Sequence, residues 1–353
     1  MTTHIRQRSG LVLESPFIWR ARRPGSRHRL FCFPHAGGGA SAFADWVPAL
    51  PADIEVVAVQ LPGRQNRILE DPATEVGPLV RDVTEALGPL LTGSFSFFGH
   101  SCGALLAYEV AQLLQAQSGP RPDRLFLSAQ PSPAAAALRP KIHNLSEEEF
   151  RAEVMRLGGF DEEVAVDEDA MDALIPTVLA DFALWEQHSM TMGPLLQSPI
   201  TVMVGETDVR APLETIEGWG DHTAAGFEQR IFPGGHFYLF DAGTDAEVFA
   251  FLAEAVLAHS AVSAPRPSGP PVASAGGAAV STAAQPPCPA VPGRLHSPRL
   301  LRRPPATPHP PAGRRRPAGA VISRQPGKSA TPPSAAGSRE PPEVLYQPSP
   351  RLV

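Results

Sequence analysis

Gly99-His100-Ser101-Cys102-Gly103 sets a hydroxyl between two glycines, directly after the apolar run Phe95-Ser96-Phe97-Phe98. Gly-x-Ser-x-Gly between a strand and a helix puts a serine on a sharp turn with its oxygen exposed. Cβ atoms beside such a turn would clash, and Gly99 and Gly103 remove them. The helical pattern over 104–117 then aims its free N–H groups and positive dipole end at whatever reacts with that oxygen. A serine hydroxyl is a weak nucleophile until a base takes its proton, and the base needs a third group to fix its tautomer.

Where such an elbow occurs in a parallel sheet, the chain order is Ser, then Asp or Glu, then His. Val202-Met203-Val204-Gly205-Glu206-Thr207-Asp208 is an apolar strand running into a turn that ends in an acid. Phe232-Pro233-Gly234-Gly235-His236-Phe237 is a second strand end, with two glycines that let the loop carry His236 over the serine. Asp208 is preferred to Glu206 and Asp221 because it falls in the turn after the strand. His100 adjoins the nucleophile and must point elsewhere, while His188 and His222 lie on segments without glycine support.

Acyl transfer also needs N–H donors preplaced for a tetrahedral oxyanion. The N–H of Cys102, next to the nucleophile, is one. The loop Phe33-Pro34-His35-Ala36-Gly37-Gly38-Gly39 follows an early strand and nominates the N–H of Ala36 as the other. That loop lacks the Lys-Ser/Thr ending and the GxGxxG spacing of phosphate loops. The Cys102 side chain is expected to pack inward as a small hydrophobe rather than act as nucleophile. No His/Cys/Asp cluster has metal-ligand spacing, so neither a metal nor another cofactor is expected.

The elements that must position these residues alternate. Strands are expected at 29–33, 54–60, 95–99, 124–129, 200–205 and 228–232, with helices at 42–50, 76–91, 104–117 and 246–258. Nearly continuous apolar strands separated by helices imply an α/β fold, a mostly parallel sheet covered on both faces. From about 131 to 192 the rhythm breaks into helices, read as an inserted lid or substrate-chamber wall, the alternative being ordinary core helices that cover the sheet. Ser146-Glu147-Glu148-Glu149 has the form of a capping box there, Gly158-Gly159 ends that helix, and Leu174, Ile175, Val178, Leu179, Phe182 and Trp185 form a second apolar face.

Charge divides the 353 residues into two pieces. Residues 261–353 hold 22 of the 41 prolines, no Phe or Trp, and twelve Lys/Arg against two Glu, about +10. The first 260 residues then carry about −16, which the net −6 conceals. A hydrolase domain over 1–260 and a disordered Pro/Ala/Arg-rich tail over 261–353 are expected. The tail's Arg302-Arg303 and Arg314-Arg315-Arg316 lack interleaved aromatics to stack on bases, which argues against nucleic-acid binding. The same residue mixture is what GC-rich DNA encodes out of frame. Cys32, Cys102 and Cys288 form no disulfide framework, no run of 18 apolar residues occurs, and no signal peptide is expected. A soluble cytoplasmic monomer is expected, with no membrane partner.

The four motifs Phe31-Cys32-Phe33-Pro34-His35-Ala36-Gly37-Gly38, Leu61-Pro62-Gly63-Arg64, Gly99-His100-Ser101-Cys102-Gly103-Ala104 and Phe232-Pro233-Gly234-Gly235-His236-Phe237 resemble, in order, the stand-alone type II thioesterases of polyketide and nonribosomal peptide synthesis. The resemblance covers about 19–260 and includes Ala180-Asp181-Phe182. Met commonly follows the family's nucleophile; Cys102 stands there, a change that keeps the backbone donor. The resemblance implies an α/β-hydrolase fold and hydrolysis of acyl groups from the phosphopantetheine arm of acyl or peptidyl carrier proteins, with Ser101, Asp208 and His236 catalytic. Stalled or aberrant intermediates would be cleared, the substrate arm being carried by the partner. Rival readings are a carboxylesterase or lipase, a medium-chain acyl-carrier thioesterase, and a non-catalytic interaction module.

Overall fold

Apolar runs too short to be helices and buried on both sides leave one solution, strands stacked side by side with helices above and below. A computed structural model describes residues 10–158, 164, 166–190 and 193–263. Its eight strands are β1 (Val12–Ser15), β2 (Ile18–Arg20), β3 (His28–Phe33), β4 (Ile54–Val59), β5 (Ser94–His100), β6 (Leu125–Ser128), β7 (Ile200–Gly205) and β8 (Phe227–Phe232). They form one sheet in the order β1-β2-β4-β3-β5-β6-β7-β8. β4, β3 and β5 to β8 run parallel, while β1 and β2 add an antiparallel edge against β4. All six expected strands are present, each within one residue at either end. The β1–β2 hairpin was not expected: Val12 and Leu13 are exposed at the sheet edge, so alternation there carries little signal.

The helices are α1 (Trp46–Ala49), α2 (Val76–Leu87), α3 (Cys102–Ala116), α4 (Pro133–Ala137), α5 (Glu147–Leu157), α6 (Glu168–Gln187) and α7 (Thr244–Ser263). Side-chain alternation along the strands builds two cores. Phe31, Phe33, Phe97 and Val202 pack beneath α2 and α3, while Leu30, Cys32, Phe98 and Met203 pack beneath α1 and α7. The helix expected at 42–50 is instead a 3-10 turn, Ala40–Phe43, followed by the single turn of α1. Pro48 has no N–H to bond back to Ala44 and join the two turns into one helix.

Between β6 and β7 the described residues hold α4, α5 and α6 and no strand. The Ser146/Glu149 capping box forms as expected, and α5 stops at Gly158, whose φ of +78° suits glycine. Phe150 and Val154 of α5 pack on Ile175, Val178 and Phe182 of α6 in a third, smaller core. At the other end α7 runs on to Ser263, three residues into the expected 261–353 tail, and residues 264–353 lie outside the described residues.

Candidate active site

β5 ends and α3 begins at Ser101, with no connecting loop. The price of that turn is the Ser101 backbone at φ 53° and ψ −123°, a region that costs a non-glycine residue about 1–3 kcal/mol. Its N–H is held by the Ser128 carbonyl on β6 at 2.8 Å. The flanking glycines are steric requirements. A Cβ at Gly99 would lie 2.2 Å from the Gly103 carbonyl oxygen, and one at Gly103 would lie 2.2 Å from the Phe33 carbonyl oxygen.

The turn after β7 carries Asp208 and the loop after β8 carries His236. The two loops are stitched by Glu206 N–H to Phe232 O at 2.8 Å and Thr207 N–H to Gly234 O at 3.0 Å. A Cβ on Gly205 would sit 2.2 Å from the Gly235 carbonyl oxygen, so this approach also needs glycine. His236 Nδ1 lies 2.9 Å from Asp208 Oδ2, and His236 Nε2 lies 3.1 Å from Ser101 Oγ. A carboxylate only accepts, so the proton of a neutral His236 sits on Nδ1 and its Nε2 accepts the serine hydroxyl. Asp208 Oδ1 also accepts the N–H groups of Arg210 and Ala211, at 2.7 and 3.1 Å. Ser101, Asp208 and His236 are each at most 5% exposed.

The alternatives to Asp208 and His236 are placed elsewhere. Glu206 and Asp221 are exposed; His188 pairs with Glu109 at 3.0 Å and His222 with the Tyr108 hydroxyl at 2.9 Å. His100 turns away from the serine, its Nδ1 2.9 Å from Ser128 Oγ, which in turn meets the Tyr238 hydroxyl at 2.8 Å. Its ring nevertheless stands 5.3 Å from that of His236 and 5.9 Å from that of His35. Burial and the neighbouring imidazoles hold His100 well below the usual histidine range and lower His35 to about 3. Both rings are therefore neutral at physiological pH.

Cys102 is the first residue of α3, and its thiol is buried. Burial, with the Asp181 carboxylate nearby, pushes the thiol up to about 12, so it stays protonated and unsuited to nucleophilic attack. The N–H groups of Cys102 and Ala36 find no intramolecular acceptor among the described residues. Two cavities meet at Ser101. One, of about 510 Å³, passes Cys102, Trp185 and Met190 to Arg139 and Lys141. The other, of about 260 Å³, runs past Ala36 between the His35–Gly39 loop and Val154, Leu174 and Val178 of the inserted helices.

Two carboxylates of α6 were not expected at the site as linkers. Asp181 accepts both Arg64 guanidinium nitrogens, at 2.7 and 2.9 Å, and the Gly37 N–H at 2.8 Å. Glu186 accepts Arg210 Nη2 at 2.6 Å and lies 2.8 Å from His143 Nδ1. Asp181 and Arg64 stand in the motifs that carried the family resemblance, but partners 117 residues apart leave no periodic signal. Among the described residues no group of His, Cys, Asp and Glu could hold a metal ion, and no helix is long and apolar enough to cross a membrane.

A parallel sheet whose elbow serine meets a histidine and an aspartate from the next loops of its carboxyl edge defines an α/β-hydrolase. The model of the thioesterase domain family matches residues 28–255, and the chain belongs to that family, hydrolases of thioester bonds. It is 37% identical over 214 residues to the gramicidin S biosynthesis protein GrsT of Aneurinibacillus migulanus, covering 61% of this chain and 84% of that protein. It is 31% identical over 238 residues to the medium-chain S-acyl fatty acid synthase thioesterase of Rattus norvegicus, covering 66% and 89%. Among solved structures it resembles RedJ, a thioesterase from the prodiginine biosynthetic pathway of Streptomyces coelicolor. The TM-score is 0.62 and the identity 37%, over 65% of this chain and 91% of RedJ.

Proposed function

We propose that this thioesterase hydrolyses acyl groups from the phosphopantetheine arm of carrier proteins, clearing stalled or aberrant intermediates from a polyketide or nonribosomal peptide synthase. The observation that carries the reading is the hydrogen-bonded chain Ser101–His236–Asp208 in a protein that matches most of the length of its biosynthetic relatives. Ser101 Oγ attacks the thioester carbonyl as His236 Nε2 takes its proton. Asp208 holds the resulting imidazolium, and the N–H groups of Ala36 and Cys102 receive the oxyanion. Collapse breaks the carbon–sulfur bond, the thiolate leaves and takes the proton from His236, and Ser101 is acylated. Water then gives a proton to His236, attacks the acyl-enzyme and releases the acid, restoring the serine hydroxyl. No cofactor enters this sequence.

The cavity ending at Arg139 and Lys141 supports an approach by the arm's phosphate or an acidic carrier surface, despite the body's net negative charge. The enzyme is read as a soluble cytoplasmic monomer. The rat relative favours one other reading, release of medium-chain fatty acids. The deciding experiment compares hydrolysis of one acyl group on a carrier protein, on coenzyme A and on a simple oxygen ester. The carrier-bound thioester is expected to be preferred, and Ser101→Ala to abolish turnover. Preference for the oxygen ester, or an unaffected S101A variant, overturns the proposal, and a rate that peaks sharply at medium-length acyl chains moves it to the fatty-acid reading.

A further inference from the structure

We propose that Asp181, on α6 of the inserted segment, is a positioning residue that sets the oxyanion loop; the inference rests on the functional reading above. The loop Ala36-Gly37-Gly38-Gly39 has three consecutive glycines and little intrinsic preference for one conformation. A donor at Ala36 helps only if held within about 0.5 Å of its working position, so something outside the loop must fix it. α6 does so through two residues one turn apart. Asp181 Oδ2 accepts the Gly37 N–H at 2.8 Å, and Val178 presses on Gly37 so closely that a Cβ there would come within 2.5 Å of its Cγ2. Fixing the Gly37 N–H fixes the plane of the Ala36–Gly37 peptide, the unit adjoining the proposed donor.

A bare carboxylate in this place would oppose the negative charge that develops on the substrate oxygen. Arg64 cancels it. Its guanidinium grips Asp181 through both oxygens, and the two residues are 5% and 4% exposed. The fork geometry suits arginine and not lysine. Arg64 Nη1 also reaches the Gly38 carbonyl at 3.4 Å, and Thr177 Oγ1 reaches the Gly63 carbonyl at 3.4 Å. The inserted helix thereby grips both the oxyanion loop and the Gly63-Arg64 turn, so the catalytic geometry is complete only when α6 is seated.

The test measures kcat and KM on an acyl thioester, with inhibition by a trifluoromethyl ketone that mimics the tetrahedral intermediate. Asp181→Ala should lower kcat per folded enzyme about 10- to 100-fold, the range for a misplaced oxyanion donor, with KM changing less than about threefold. Affinity for the ketone should fall by a similar factor, and affinity for a non-hydrolysable thioether should not. Asp181→Asn keeps an oxygen for the Gly37 N–H and should recover part of the loss. Arg64→Met should be worse than Arg64→Met combined with Asp181→Asn, because only the single variant leaves an unpaired buried charge. The inference is overturned if folded D181A and D181N both turn over within about twofold of the parent, or if ketone and thioether affinities fall together. Should D181A fail to fold, D181N and the double variant decide it. Normal turnover by Ser101→Ala would instead sink the functional reading and leave the Asp181 contacts untouched.

Discussion

At the scale of single residues, contact with His236 separates two buried side chains that stand side by side. Ser101 Oγ has the His236 imidazole at 3.1 Å, while the thiol of Cys102, one residue on, is held from the thiolate form because burial raises its proton affinity. With its pKa raised to about 12, the thiol is overwhelmingly protonated near neutral pH. Cys102→Ala should therefore keep kcat within about threefold of the parent, since the alanine retains the backbone N–H. Iodoacetamide at pH 8 should leave activity intact over an hour. Rapid inactivation that the C102A variant escapes would show that the thiol is reactive after all.

At the scale of elements, the site is a meeting of ends: β5 into α3, β7 into its turn, β8 into its loop, and the loop after β3. Glycines at the contacts allow backbone to touch backbone. Gly103→Ala would drive a methyl group into the Phe33 carbonyl oxygen at 2.2 Å, forcing the N-terminus of α3 away from the end of β3. Overpacking of this kind costs about 1–3 kcal/mol or more, with no flexible side chain to yield. A fall in Tm of several degrees and a loss of hydrolysis exceeding about tenfold are expected for G103A, measured by thermal unfolding and thioester turnover. Unchanged values would mean the elbow can relax without moving the Cys102 N–H. The same scale explains what the sequence left hidden. The inserted helices were legible from the capping box at Ser146 and the apolar face of Ile175, Val178, Leu179 and Phe182. Their grip on the catalytic loops through Asp181 and Glu186 was not, because it depends on which carboxylates face inward once the helix is seated.

At the scale of the whole molecule, stability should fall on the acid side of neutrality. His35 and His100 stay neutral in the folded protein because burial and nearby imidazoles depress them, His35 to about 3. In the unfolded chain both take a proton near pH 6.5. Lowering the pH below that value therefore favours the unfolded state, and the loss continues for His35 down toward its folded value of about 3. Each histidine can remove up to about 1.4 kcal/mol per pH unit in this window. Thermal unfolding should show a lower Tm at pH 5.5 than at pH 7.5, and His35→Gln should flatten the slope. A Tm that is constant across this range would show that the imidazoles are solvated in the folded state.

The sequence by itself determined the order of the strands along the chain, the α/β class, and the candidates Ser101, Asp208, His236, Ala36 and Cys102. Those features are local: an apolar run, a glycine pair and an acid in a turn each constrain the few residues around them. Only the tertiary structure decided that His236 engages Asp208 rather than Glu206, that His100 turns to Ser128, and that the edge hairpin of β1 and β2 completes the sheet. It also decided what surrounds the His35–Gly39 loop. Asp181 and Arg64 stand 117 residues apart, and their pairing exists because α6 folds back over the carboxyl edge of the sheet and excludes water from two opposite charges. Distances of that kind are set by packing, which a pattern of neighbouring residues does not encode.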